Sequence, residues 1–100
     1  MDPVKDLIDK GWNTVNIKTV SGRKEETIRE NVILSEDFGQ FDFGEMAIRT
    51  SSLEKVSEDE NTVVLEGDFV ILADFVSRHG KTPSITREDL FVEVTITRVN

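Results

Sequence analysis

The sequence predicts a mainly β protein, a small antiparallel β-barrel or sandwich preceded by a short N-terminal α-helix. From Glu45 to Val99 the chain sets out apolar runs, alternating or continuous, separated by turn residues. Only the N-terminal stretch shows helical apolar spacing bracketed by start and stop signals. One hundred residues allow one modest core and argue against a second. A single domain is therefore expected over 1–100, with the helix over about 2–10 and the β-barrel over about 13–99.

The helix is the best-signalled local element. Asp2 can accept hydrogen bonds from first-turn amides, Pro3 suits the first helical position, and Asp6 lies near the positive end of the dipole. Val4, Leu7 and Ile8 form one apolar stripe, and Gly11 supplies a left-handed residue to end the helix. Trp12 then falls where a residue beyond the cap packs back on Leu7. Two readings stay open for it: the stripe and Trp12 plug one end of the β-core, or the helix docks on a neighbouring subunit.

Val15 and Ile17 alternate with Asn16 and Lys18, which predicts a half-buried strand, and Ser21-Gly22-Arg23-Lys24 reads as the turn of a hairpin. In the returning strand, Ile28, Glu30, Val32 and Leu34 share one face while Arg29, Asn31 and Ile33 take the other. The segment from Ser35 to Gly44 departs from strict alternation. It is a polar loop holding Phe38, Phe41 and Phe43, with the last two placed to begin the strand that reaches Met46 and Ile48. Such an aromatic loop either folds over an open end of the barrel or exposes an apolar patch for a partner. Phe38, Phe41, Phe43 and Trp12 are the candidate partner-binding residues.

Leu53 and Val56 carry a helical-turn signal. Gly67-Asp68, between Val63-Val64-Leu65 and Phe69-Val70-Ile71-Leu72, fits a two-residue hairpin turn with glycine where positive φ is needed. The run Phe69 to Val76 is apolar on both faces, as in a strand buried on both, which here means a central strand under the helix or a face buried only in an oligomer. Arg78 to Asp89 is a polar loop. Leu90 to Val99 then alternates cleanly as the final strand.

Composition narrows the function classes. Apolar residues at 37% and charged residues at 32% describe a soluble domain, and no apolar run approaches the roughly 18 residues of a membrane span. Without cysteine there is no disulfide framework, thiolate nucleophile or cysteine-rich zinc site. A net charge of -8 opposes general binding to nucleic acid, whose phosphates need Lys and Arg. Met1-Asp2-Pro3 does not begin a signal peptide, so cytoplasm is the expected compartment.

Residues for catalysis are missing. The single histidine, His79, sits in a loop with no predictable Ser or Cys partner, and no acids fall at calcium-loop spacing. The glycines precede no phosphate-loop Lys-Ser or Lys-Thr. The expectation is a protein that is not an enzyme, holds no cofactor or metal, and works by contact.

The order of signals resembles a known family. Glu45-Met46-Ala47-Ile48-Arg49-Thr50-Ser51-Ser52-Leu53, then Asn61 to Ile71 around Gly67, then Leu90 to Val99 is similar to the small β-barrel head-tail connectors of tailed phages, the head-completion or stopper type. Arg49-Thr50 and Gly67 are the letter-level matches. The resemblance implies a short strand running through Arg49-Thr50 into a turn, a hairpin around a glycine, and a long loop, here Ser35 to Gly44. It also implies a ring of identical subunits between portal and tail proteins, in the host cytoplasm and then in the virion. An acidic chain suits the channel of such a ring, where a negative wall lets DNA slide without sticking.

The alternative is an SH3-like or Sm-like barrel acting as a protein-binding adaptor or inhibitor. Where an Sm-like chain carries its RNA pocket this one has Asn31-Val32-Ile33-Leu34, which argues against RNA binding. A third reading, inhibition of a nucleic-acid enzyme by acidic mimicry, requires acids gathered on one face, and the alternating pattern scatters them.

Overall fold

The computed structural model describes residues 2–22, 24–35, 39–43, 46–71 and 90–99. The chain is mainly β, and its described residues include the helix α1 (Pro3–Asp9) and the strands β1 (Thr14–Ser21), β2 (Glu26–Ile33), β3 (Gln40–Phe43), β4 (Met46–Arg49), β5 (Glu54–Glu58), β6 (Thr62–Asp68), β7 (Val70–Ile71) and β8 (Phe91–Arg98). A five-stranded antiparallel sheet has the order β2-β1-β8-β6-β5, and a three-stranded sheet has the order β3-β4-β7. No ladder among the described residues joins β2 to β5, so the large sheet is open and not a closed barrel. Among the described residues no helix is long and apolar enough to cross a membrane.

Helix α1 begins and ends as its residues dictate. The Asp2 carboxylate accepts from the amides of Val4 at 3.0 Å and Lys5 at 3.2 Å, satisfying two of the donors that a helix start leaves unpaired. At the other end Gly11 takes φ +92°. The Gly11 amide bonds to Ile8 O and the Trp12 amide to Leu7 O, both at 3.0 Å, the double closure that a left-handed residue after a helix permits.

The last strand of the chain is the centre of the large sheet, because β8 pairs with β1 on one side and β6 on the other. Its alternation buries Val92, Val94 and Ile96, which lie beside Val15 and Ile17 of β1 and Val63 and Leu65 of β6. This inner face is roofed by Val4, Leu7, Trp12, Phe41, Ile48 and Leu53. Each such side chain removed from water contributes roughly 1.5–3 kcal/mol before ordering costs.

The structure corrects several expectations. Gly67-Asp68 is not a hairpin turn: β6 runs through both, with Gly67 opposite Val92 and Asp68 opposite Phe91. The glycine is needed for closeness, since a Cβ there would lie 2.8 Å from Leu53 Cδ2 and 3.3 Å from Ser52 O. The chain then passes Phe69, whose amide bonds to Leu90 O at 2.7 Å, and crosses into the small sheet as β7. The turn into β6 comes earlier, where Asp59 Oδ1 accepts from the amides of Asn61 and Thr62 at 2.9 and 2.8 Å, an Asx turn. The helical turn expected at Leu53 and Val56 lies at Thr50–Ser52, and Glu54–Glu58 is a strand. Within the expected loop, Gln40–Phe43 forms a hairpin with β4. Phe38, Leu72 to Val76 and the Arg78 to Asp89 connection with His79 lie outside the described residues.

Strand β2 departs from alternation for an identifiable reason. Asn31 has φ +55°, and the register slips by one residue where Val15 opposite Val32 gives way to Ile17 opposite Arg29. This β-bulge turns Ile28 to the outer face while Val32 and Leu34 stay with the core. Asn tolerates the left-handed conformation better than most residues, and Asn16 Oδ1 accepts from the displaced Asn31 amide at 3.0 Å.

The helix and the small sheet meet at Thr50. Its hydroxyl donates to Asp2 Oδ2 at 2.9 Å and its amide donates to Gly39 O at 3.1 Å, with Thr50 itself buried. Asp2→Ala is expected to lower the free energy of unfolding by about 1–2 kcal/mol, and Thr50→Val by about 1 kcal/mol. In urea titrations the double variant should lose less than the sum, because both remove one shared bond; strict additivity would show that the two residues do not cooperate.

Candidate interaction surface

Trp12 and Phe41 belong to the core. Trp12 is 6% exposed, with the Arg98 guanidinium 5.9 Å from its ring centroid, and Phe41 is 1% exposed. Neither presents its ring to a partner in this conformation, and Phe41 packs within the core cluster. Phe43 closes the β3–β4 hairpin through its backbone, opposite Met46.

The side chains that do face solvent lie elsewhere. Ile28 is 62% exposed and Ile33 68% exposed, both on β2, a terminal strand of the large sheet. The direction of the β2 backbone follows from the ladder. Ser21 N donates to Glu25 O at 3.0 Å, so Glu25, Thr27 and Arg29 turn their amide and carbonyl groups toward β1. Alternation then points those of Glu26, Ile28 and Glu30 away from the sheet. Sequence reasoning missed this edge because it carried strict alternation through Asn31; the preference of Asn for left-handed backbone was the available signal.

The outer face of the sheet is acidic. Register places Glu54 opposite Glu66, Glu66 opposite Glu93, Glu93 opposite Val20, and Val20 opposite Glu26. Acids that alternation scatters along the chain are thus gathered into one transverse row. Lys18 offsets the end of that row through an ion pair with Glu26 at 3.1 Å.

Between α1 and the β5–β6 hairpin lies a groove of about 250 Å³, floored by Leu7, Leu53 and Val63. An ion-pair chain crosses its rim: Lys10 meets Asp6 at 3.2 Å and Glu58 at 2.9 Å, and Lys55 meets Glu58 at 2.9 Å. Hydrogen bonds from Lys10 first and Lys55 second hold the Glu58 carboxyl below its ordinary value. The bonds to Glu58 and then Asp6 hold the Lys10 ammonium above its own. Among the described residues no group of three or more His, Cys, Asp or Glu is arranged to hold a metal ion.

No family model, curated protein or solved structure matches the chain.

Two outcomes follow from this electrostatic arrangement. Because the Glu58 pKa is depressed by folding, its contribution is present above the ordinary 4.5 and is lost as pH falls through the folded value. Because that of Lys10 is raised, its contribution is present below the ordinary 10.5 and is lost as pH rises through the folded value. An NMR titration of the Glu58 carboxyl carbon should give a midpoint below 4.5 that returns upward in a Lys10→Ala/Lys55→Ala variant; no return would mean the ion pairs are not the cause. Separately, Glu66→Lys replaces two directly opposed like-charge pairs by attractive ones. Its urea midpoint should rise at low salt, and the gain should shrink as salt screens it; a salt-independent midpoint would show that the row is not under repulsion.

Proposed function

We propose that this chain is a non-enzymatic assembly protein acting through protein–protein contact, of the kind represented by the head-completion or stopper connectors of tailed phages. In that role copies associate into a ring between portal and tail proteins, formed in the host cytoplasm and carried into the virion. The observation that carries the contact-based reading is the β2 edge, unpaired on its outward side among the described strands and displaying Ile28 and Ile33 to solvent. Isolated exposed apolar residues are ordinary, but two of this size on one sheet edge provide apolar area for association.

The connector assignment draws support from the strand that bears Arg49 and runs into the Thr50–Ser52 turn, as the resemblance implies. Gly67 counts against it, since the glycine is in a strand and not in a hairpin turn. The adaptor or inhibitor reading is favoured by the bulge in the middle of β5, between Lys55 and Ser57, which blunts the opposite edge against continued strand addition.

Light scattering over a wide concentration range separates them. A connector is expected to give a mass several times the 11.3 kDa of one chain, or a mass that climbs with concentration. A constant single-chain mass in the presence and absence of candidate portal proteins would overturn the connector assignment and favour the adaptor.

A further inference from the structure

We propose that β2 is a self-complementary edge on which a second copy of this chain docks, antiparallel, with Thr27 opposite Thr27 of the second copy. This rests on the contact-based reading above and names its partner and its register.

The ladder restricts the choices. Glu26, Ile28 and Glu30 carry the outward amide and carbonyl groups, so these residues must form the hydrogen-bonded pairs of any added strand. A twofold axis perpendicular to the sheet keeps equivalent residues on the same face. Centring that axis on Thr27 sets Glu26 opposite Ile28 of the second copy, a pair of outward-bonding residues. It also sets Glu25, the residue just before β2, opposite Arg29. Symmetry repeats the attraction, giving two opposite-charge pairs directly across the junction. Centring on Ile28 would instead oppose Glu26 to Glu30 twice, and centring on Arg29 would oppose two guanidinium groups. Charge therefore selects one register among the neighbours that the ladder allows.

Packing agrees. In the chosen register Ile28 and its equivalent are diagonal neighbours on the outer face, within reach of each other, so a side chain 62% exposed in the single chain becomes covered. The bulge at Asn31 lies just beyond the paired segment and ends it. The other edge offers no such stretch, because β5 is interrupted at its middle and its Glu58 is engaged by Lys10 and Lys55.

Sedimentation equilibrium on the full chain and four variants tests this. The unmodified chain should show a species of twice the 11.3 kDa chain mass, a twofold pair that joins two chains and is separate from the head-to-tail contacts within a ring. Glu25→Arg and Arg29→Glu should each weaken that association by about tenfold or more, and the double variant should recover it, since the swapped charges again face each other. Ile28→Pro removes an outward amide that β1 does not use and places a ring in the junction; it should fold, judged by Trp12 fluorescence, yet remain single. An oligomer indifferent to all four variants would overturn β2 pairing while leaving the assembly reading in place. A chain that is single at every concentration would overturn β2 pairing, and the connector assignment falls with it only if the chain also stays single beside candidate portal proteins.

Discussion

One carboxylate holds the two layers of this protein in register. A five-stranded sheet presents an apolar inner face, and that face is covered by elements that are individually too short to be stable, a seven-residue helix and a three-stranded patch of sheet. Asp2 joins them. One of its oxygens caps the helix and the other receives the Thr50 hydroxyl, while the Thr50 amide reaches Gly39 at the entrance to β3. Because Thr50 is buried, its hydroxyl must be satisfied within the protein, by Asp2 at 2.9 Å or by Gly39 O at 3.2 Å. The roof is thus fixed by a polar contact beneath which Leu7, Phe41, Ile48 and Leu53 pack.

The same economy governs the crossing from one sheet to the other. Gly67 lets β6 pass close under Leu53 and Ser52, and three residues later the chain has left the large sheet for the small one. A side chain at that position would push away the segment that follows Thr50, so the glycine and the Asp2–Thr50 bond constrain the same corner from opposite sides.

Much of this was legible in the residues. The helix limits, its cap, its Gly11 closure and the buried alternation of Val92, Val94 and Ile96 follow from local rules that tertiary structure did not override. The errors share a cause. Gly67-Asp68 has turn composition, but glycine also serves close approach, and only the position of Leu53, distant in sequence, distinguishes the two uses. The β2 faces were misassigned because a single left-handed residue, Asn31, reverses the alternation on one side of it. Phe41 and Trp12 were legible as conspicuous aromatics without a sign of whether they face inward. The exposed edge was the least visible feature, since it depends on which strands pair, and the neighbours of β8 are β1 near the N-terminus and β6 in the second half of the chain.

Charge then decides which surfaces can meet another copy. A chain with a net charge of -8 resists self-association at most orientations. Stacking two copies through the outer face of the large sheet would bring the Glu54, Glu66 and Glu93 rows together, a desolvated like-charge contact. The β2 edge differs because Glu25 and Arg29 place both signs along one edge, and because antiparallel pairing reverses their order across the junction. The acidic row and the mixed-sign edge therefore act together: the first discourages contact through the face, and the second leaves the edge as the described surface on which identical chains can pair without opposing like charges.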